Sequence, residues 1–156
     1  MSSAKVRSAA FARAGAVLGA VLVADQLTKH FVRSDIALGQ VNKVVPGLNL
    51  VHVRNTGVAF GFFSGGGALV LAFTLAALAV LLGYFAMRPD RPWLWLPAGL
   101  LTGGALGNLL DRIANGAVTD FIKLPFWPAF NVADMAITFG VLALLYVLEG
   151  GRRDAG

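Results

Sequence analysis

Long apolar stretches alternate with shorter polar segments along the chain. Four of the apolar stretches, at residues 8–24, 66–87, 92–110 and 129–148, have roughly 17 to 22 residues each, the length that an α-helix needs to cross a lipid bilayer. The pattern predicts an all-α polytopic membrane protein, in which a bundle of four transmembrane helices forms a single membrane domain over residues 1–156. An even number of spans places both termini on the same side of the membrane.

The first apolar stretch has a second interpretation, because a basic start followed by LGAVLVA is also typical of a cleaved secretory signal. Two features favour a retained span instead. Leu22 is large for the residue three before a cleavage site, and the polar sequence DQLTK that follows continues a helical pattern. Arg13 interrupts the stretch, and we expect its side chain to extend to the membrane surface.

A different periodicity follows the first span. VNKVV and LNLVHVRN alternate with period two and are separated by Pro46-Gly47, which predicts a β-hairpin. We expect an outer β segment over residues 41–61, forming a small extracytoplasmic β-sheet on the membrane's outer face. The aromatic-rich sequence AVTDFIKLPFWP at residues 117–128 predicts a periplasmic-side interfacial segment, either an ordinary aromatic belt or a lid over a site.

The distribution of basic residues predicts the orientation of the bundle. They are dense near the N-terminus, in the connector MRPDRP and in the C-terminal tail, and sparse in the other polar segments. Short cytoplasmic segments carry the excess of lysine and arginine in membrane proteins. We therefore expect both termini in the cytoplasm, with residues 29–65 and 111–128 on the outer side.

Composition removes several classes of function. Hydrophobic residues make up 57% of the chain and charged residues 13%, so a water-soluble domain is not expected. The net charge is +5, but the basic residues form no dense cluster, so no nucleic-acid partner is expected. With no cysteine and with His30 and His52 far apart, we expect no metal site and no cofactor. Aspartate remains the main source of acid–base chemistry.

Polar residues gather at the outer ends of the first and third spans, although ionisable groups are costly there. Asp25 and Lys29 are four residues apart on one helical face, where either a structural ion pair or a substrate contact is consistent with the spacing. Gly104, Asn108 and Arg112 recur every four residues and form a stripe that should face the bundle. Asp111 lies about 100° from Arg112, and we expect it to be solvated or to pair with Arg112.

Two further aspartates lie close in sequence at the same outer edge. Asp120 lies in the interfacial segment, where a lone aspartate is usually a turn or capping residue. Asp134 begins the last apolar span, where it can partner the helix dipole. Only 13 residues separate the two, which lets the chain double back and bring both carboxyls together. Two carboxylates in a low-dielectric site share one proton, as in aspartic proteases.

Five short stretches of the chain resemble the conserved boxes of the lipoprotein signal peptidase (signal peptidase II) family. They occur in the family's order: DQLTK at 25–29, NTGVAFG at 55–61, GGALGNLLDRI at 103–113, VTDF at 118–121 and FNVAD at 130–134. The resemblance implies an aspartic endopeptidase of the bacterial inner membrane. Its substrate would be a prolipoprotein, cleaved immediately before a cysteine that carries diacylglyceryl. We expect the lipid bilayer as surroundings and a monomer.

The resemblance also implies roles for single residues. Asp120 and Asp134 match the catalytic pair. Together with Gly104 from the stripe, the residues expected to line or support the site are Asp25, Lys29, Asn55, Gly57, Asn108, Arg112, Asn131 and Ala133. We expect Asn131 and Asn108 to hydrogen-bond the catalytic carboxylates and Arg112 to steady their charge. Gly57 would allow a peptide to approach closely, and the sheet would hold that peptide by backbone pairing.

Two other functions remain as alternatives. A proton-coupled carrier would use Asp25, Asp120 and Asp134 as a relay, and it predicts acidic groups throughout the depth of the membrane and two related halves. A membrane scaffold predicts that neither aspartate is needed for function. Serine catalysis is disfavoured because Ser34 and Ser64 have no recognisable base beside them.

Overall fold

The computed structural model describes residues 3–56 and 66–153. In this part of the chain, four α-helices accompany a small antiparallel sheet whose strand order is β1-β2-β3. The elements are α1 (Ser3–Asp35), β1 (Val41–Val45), β2 (Leu48–Asn55), α2 (Gly66–Met87), α3 (Trp95–Asn115), β3 (Val118–Lys123) and α4 (Val132–Arg153). Residues 57–61 of the predicted outer β segment, including Gly57, lie outside the described residues.

The four predicted helices are present, and their bounds differ from the apolar stretches in an informative way. α2 has the predicted bounds, whereas α1 continues through DQLTK to Asp35. Two of the described helical segments are long and apolar enough to cross a membrane, Ala4–Asp35 and Val132–Gly150, and Ala72–Met87 is a shorter apolar helix. α3 carries buried polar residues, Asn108 and Asp111, in its second half. These residues lower the hydropathy of a helix that packs between α1 and α4.

α3 packs against α1 on one side and α4 on the other through glycines. A Cβ atom added at Gly103 would lie 2.9 Å from the carbonyl oxygen of Leu18 on α1, and one added at Gly104 would lie 2.5 Å from the carbonyl oxygen of Ala133 on α4. Neither position can hold a side chain without moving a backbone. The small residues therefore let the three helices approach closely, as their spacing predicts.

The predicted hairpin is present, with a turn at Pro46-Gly47 in which Gly47 has a φ of 84°. β3 was not predicted, because residues 118–123 were assigned to the interfacial segment. They form a strand that pairs with β2, and the side chains from Val118 to Phe121 are all buried. Period-two alternation is lost when both faces of a strand are covered, so the pattern did not identify this one. The interfacial assignment does fit the next residues, since Phe126 and Trp127 are exposed.

Candidate active site

Asp120 and Asp134, here called the acid pair, reach the same site from different elements. Asp120 lies on β3, opposite Val53 of β2, and only 2% of its surface is exposed. Its Oδ1 accepts a hydrogen bond from Asn131 Nδ2 at 2.7 Å, and its Oδ2 accepts one from Asn55 Nδ2 at 2.9 Å. Strand pairing and two amide groups therefore fix the orientation of this carboxyl.

Asp134 lies in the first turn of α4 and has its own amide partner. Its Oδ1 accepts a hydrogen bond from Asn108 Nδ2 on α3 at 2.8 Å. Asn108 Oδ1 in turn accepts one from Asn131 Nδ2 at 3.1 Å. A continuous chain of hydrogen bonds thus joins Asp120 through Asn131 and Asn108 to Asp134. The predicted contacts of Asn131 and Asn108 with aspartate carboxylates are present.

The start of α4 explains why an aspartate and an asparagine three residues apart precede an apolar helix. Asn131 Oδ1 accepts a hydrogen bond from the backbone N–H of Asp134 at 2.9 Å, and Asp134 Oδ2 accepts one from the backbone N–H of Asn131 at 3.2 Å. This reciprocal pair is a capping box. Asp134 therefore has a structural role at the N-terminus of α4, and the same carboxylate also belongs to the acid pair.

The surroundings of Asp120 favour its neutral form. The pKa of Asp120 is raised from 3.8 to about 6, because burial and the charge of Asp134 raise it more than the hydrogen bonds from Asn55 and Asn131 and the charge of Lys29 lower it. Desolvation is the largest cause. A carboxyl whose pKa is raised toward neutrality beside a second carboxyl is what proton sharing requires.

Next to the acid pair lies a group of four charged residues, here called the ion cluster: the buried Asp25, Lys29 and Asp111, and the partly exposed Arg33. Lys29 Nζ lies 2.8 Å from Asp25 Oδ2 and 3.4 Å from Asp111 Oδ2. Asp25 and Lys29 have no exposed surface, so the structural ion pair is the correct alternative for them. The formal charges of the cluster cancel.

Hydrogen bonds to two backbone N–H groups and to one side chain connect the ion cluster with the residues around the acid pair. Asp25 Oδ1 accepts a hydrogen bond from the N–H of Ala133, next to Asp134, at 2.9 Å, and Asp111 Oδ2 accepts one from the N–H of Thr119, next to Asp120, also at 2.9 Å. Lys29 Nζ donates to Asn108 Oδ1 at 2.9 Å. The cluster therefore positions the segments that carry both aspartates.

The expectation for Asp111 was wrong. It is 1% exposed, and it contacts Lys29, Arg33 and Thr119 rather than solvent or Arg112. The reason is that α1 and β3 cover the end of α3. The sequence did contain a signal, because Asp111 follows the buried Asn108 by three residues and so lies only about 60° from it around the helix. Arg33 and Thr119 were also missed, and their types and positions gave no comparable signal.

The other predicted site residues are only partly brought together. Arg112 Nη1 donates to the backbone carbonyl of Asn108 at 3.3 Å, and its buried Nε has no hydrogen-bond partner. No bond from Arg112 to either member of the acid pair is present within residues 3–56 and 66–153. Gly104 and the buried Ala133 form the contact between α3 and α4 described above. Among the described residues, no group of three histidine or acidic side chains could hold a metal ion.

Comparisons with known proteins agree over most of the chain. Residues 17–149 match the family model described as Signal peptidase (SPase) II. The lipoprotein signal peptidase of Moorella thermoacetica is 43% identical over 133 residues, covering 82% of this chain and 87% of that protein. The lipoprotein signal peptidase of Rhodopseudomonas palustris is 41% identical over 149 residues, covering 86% of this chain and 90% of that protein.

Solved structures give the same result for the fold. A bacterial membrane enzyme whose structure was solved by the in meso method at 2.3 Å resolution has a TM-score of 0.81 at 30% identity, covering 92% of this chain and 91% of that chain. A second, at 1.9 Å resolution, has a TM-score of 0.79 at 32% identity, covering 86% and 91%. The chain is thus a membrane protein with apolar helices, and it belongs to the signal peptidase II family of proteases.

Proposed function

We propose that this protein is an aspartic endopeptidase that removes signal peptides from prolipoproteins, cleaving immediately before a cysteine that carries diacylglyceryl. Family membership supports the prolipoprotein as substrate. The observation that carries the catalytic type is the joining of Asp120 and Asp134 by one chain of amide hydrogen bonds. Of the four aspartates described above, Asp25 and Asp111 have cationic side-chain partners. Asp120 and Asp134 are bonded to amide side chains instead.

The proposed mechanism needs one proton shared between the acid pair. The ionised carboxylate removes a proton from a water molecule, and the resulting hydroxide attacks the carbonyl carbon of the scissile peptide bond. The protonated carboxyl donates its hydrogen bond to the carbonyl oxygen as negative charge develops there. The proton taken from water then passes to the leaving amine, so that the pair returns to its starting state and no covalent intermediate is formed.

The amide side chains hold the acid pair in geometry without fixing its charge. Asn55, Asn108 and Asn131 donate neutral hydrogen bonds, which orient a carboxyl but stabilise its ionised form less than a cation would. One member can therefore remain protonated. Arg112 lies one turn beyond Asn108 and leaves its Nε unpaired, and we propose that it and Gly57 contact the substrate.

The location of the acid pair fits a substrate anchored in lipid. Asp134 lies in the first turn of α4, and the sheet and the C-terminal half of α1 lie at the same end of the bundle. We propose that this end is the outer face of the bacterial inner membrane, that all four helices span it in a monomer, and that both termini are cytoplasmic. Arg13, which lies 5.9 Å from the Trp95 ring centre, would mark the opposite interface.

The proton-carrier alternative fits the geometry less well. A relay needs acidic groups distributed through the depth of the membrane, whereas Asp25, Asp111, Asp120 and Asp134 lie together at one end of the bundle. Two of these carboxylates are also neutralised by Lys29 and Arg33.

The test is cleavage of a diacylglyceryl-modified precursor by purified protein, followed as a mobility shift on a gel. We expect Asp120→Asn and Asp134→Asn to reduce the rate at least about 10³-fold, since each removes a group that must transfer a proton. Circular dichroism of both variants checks that the helices are retained. Turnover near the wild-type rate in either folded variant contradicts the mechanism. Equal cleavage of an unmodified precursor contradicts the specificity.

A further inference from the structure

α2 packs against the rest of the bundle near its C-terminal end. There, Phe85 is buried in a cluster with Leu94 and Val147, and Arg91 ties the connector to α4 by donating to the carbonyl oxygens of Val147 and Leu148. A groove lies between α2 and the neighbouring helices α3 and α4.

This groove has a volume of about 780 Å³ and is apolar almost throughout. Its walls come from three helices and include Ala77 and Leu81 of α2, Ala105 of α3, and Ile137, Val141 and Leu148 of α4. Along α4, it extends over 12 residues, from Ile137 to Leu148, which corresponds to about 16 Å of helix. That length is close to one leaflet, half of a hydrocarbon core of about 30 Å.

One end of the groove lies next to Asp134 of the acid pair. Ile137 follows Asp134 by three residues, so its Cα is about 4.5 Å further along the helix axis. Ala105 follows Gly104, whose backbone packs against Ala133 and Ile137. The groove therefore begins within one helical turn of the carboxyl that would act on the substrate, and it runs from there toward the opposite end of the bundle.

The position of the groove restricts its occupant. In the proposed reaction the scissile bond directly precedes the lipidated cysteine, so the acyl chains start only a few bonds from the acid pair and must leave it away from water.

We propose that the groove between α2 and α4 is the binding site for an acyl chain of the diacylglyceryl group. This proposal rests on the proposed function, because it takes the lipid-modified precursor as the substrate. An acyl chain gains little by moving from bilayer lipid to an apolar protein surface. The groove therefore acts by orientation: a chain held along α4 fixes the cysteine, and hence the scissile carbonyl, relative to Asp120 and Asp134.

A pair of substitutions on α2 tests the proposal without touching the acid pair. Ala77→Trp fills the groove, whereas Ala79→Trp introduces the same side chain at an exposed position of the same helix that does not line the groove. Each variant is assayed in detergent with two forms of one precursor, one carrying palmitoyl chains and the other octanoyl chains. Thermal unfolding of both variants checks that α2 still packs.

We expect Ala77→Trp to lower kcat/KM for the palmitoyl precursor about tenfold more than for the octanoyl precursor, because the indole ring occupies space in the groove that the longer chain needs. Ala79→Trp should change the two values in equal proportion. Photocrosslinking gives a second readout, since a diazirine on the acyl chain of a precursor bound to Asp120→Asn should label α4 between Ile137 and Leu148.

Three outcomes separate this inference from the proposed function. If the wild-type protein cleaves neither precursor, the proposed function is wrong and the groove has no such ligand. If it cleaves both and Ala77→Trp shows no dependence on chain length, the groove is filled by ordinary bilayer lipid and only this inference is wrong. Crosslinks confined to α1 or to the sheet would likewise overturn it.

Discussion

The acid pair and the ion cluster are two neighbouring groups of aspartates with different side-chain partners. In the ion cluster, Asp25 and Asp111 lie within 3.4 Å of the Lys29 ammonium, and Asp111 also faces Arg33. In the acid pair, the side-chain donors bonded to the carboxyls are amides. The formal charges of the ion cluster cancel. The acid pair has no cation among these donors, so its negative charge is reduced only when one carboxyl binds a proton.

The difference separates structural from reactive acids. A buried carboxylate with cationic partners stays ionised, because losing its charge would leave the partner unpaired. A buried carboxyl held by amides keeps its geometry in either protonation state, and desolvation then decides its pKa. The raised pKa of Asp120 is the consequence. Sequence spacing alone does not make this distinction, since all four aspartates lie beside apolar segments of the chain.

The largest expected effect comes from removing Lys29, the buried cation of the ion cluster. Lys29→Met keeps the length of the side chain but leaves Asp25 and Asp111 without it. Breaking a buried ion pair by removing one partner costs about 3–5 kcal/mol, and we expect that decrease in the free energy of unfolding. Denaturant unfolding in detergent micelles, followed by tryptophan fluorescence, measures it. Lys43→Met on the exposed β1 strand is the control, and an equal effect of the two substitutions would contradict the structural role of the cluster.

The same substitution made in both groups is expected to have opposite effects. Asp111→Asn weakens the ion cluster and leaves Lys29 and Arg33 with less countercharge, so the melting temperature should fall. Asp120→Asn removes a carboxyl that is costly to ionise, so the melting temperature should be equal to the wild-type value or higher. The expected difference between the two variants is about 1–3 kcal/mol in the free energy of unfolding.

The effect of Asp120→Asn should also depend on pH. The pKa of Asp120 is about 6 in the folded protein and 3.8 when unperturbed, so between these values the unfolded state has released a proton that the folded state retains. Folded stability therefore falls as pH rises through this window, and the asparagine variant escapes that loss. We expect its advantage in melting temperature over the wild type to grow from pH 4 to about pH 6 and then to level off. An advantage independent of pH would contradict the raised pKa.

Much of the fold could be predicted, because it follows from local patterns. Apolar length predicted the four helices, with α2 at its observed bounds, and alternation around Pro46-Gly47 predicted the hairpin. β3 could not be predicted in the same way. Its sequence shows no alternation because four successive side chains, from Val118 to Phe121, are buried, and that burial depends on contacts distant in sequence.

In the site, too, contacts between residues close in sequence could be predicted, whereas contacts between residues distant in sequence could not. The spacing of Asn131 and Asp134 predicted that they act together, because both lie within one helical turn. The environment of Asp111 is set by α1 and β3, which approach it from 78 residues before and 8 residues after. Asp111, which the local pattern predicted to be solvated or paired with Arg112, is therefore a buried ion-cluster residue. A helical-wheel argument anchored on Asn108 rather than Arg112 gives the better result for this residue.

The smallest effect we predict comes from one of the amides. Asn55 donates a hydrogen bond to Asp120 Oδ2 at 2.9 Å, and this bond opposes the rise in the pKa of Asp120. Asn55→Ala should therefore raise that pKa further and lower kcat/KM about tenfold, as expected for a lost hydrogen bond to a charged group. Because activity is lost at high pH when both carboxyls ionise, the basic limb of the kcat/KM profile should move to higher pH. Asn49→Ala, at the far end of the same strand and opposite Lys123, is the control. A lower rate with an unmoved limb would mean that Asn55 only supports the strand, and the contrast between amide-held and cation-held aspartates would then not extend to their protonation.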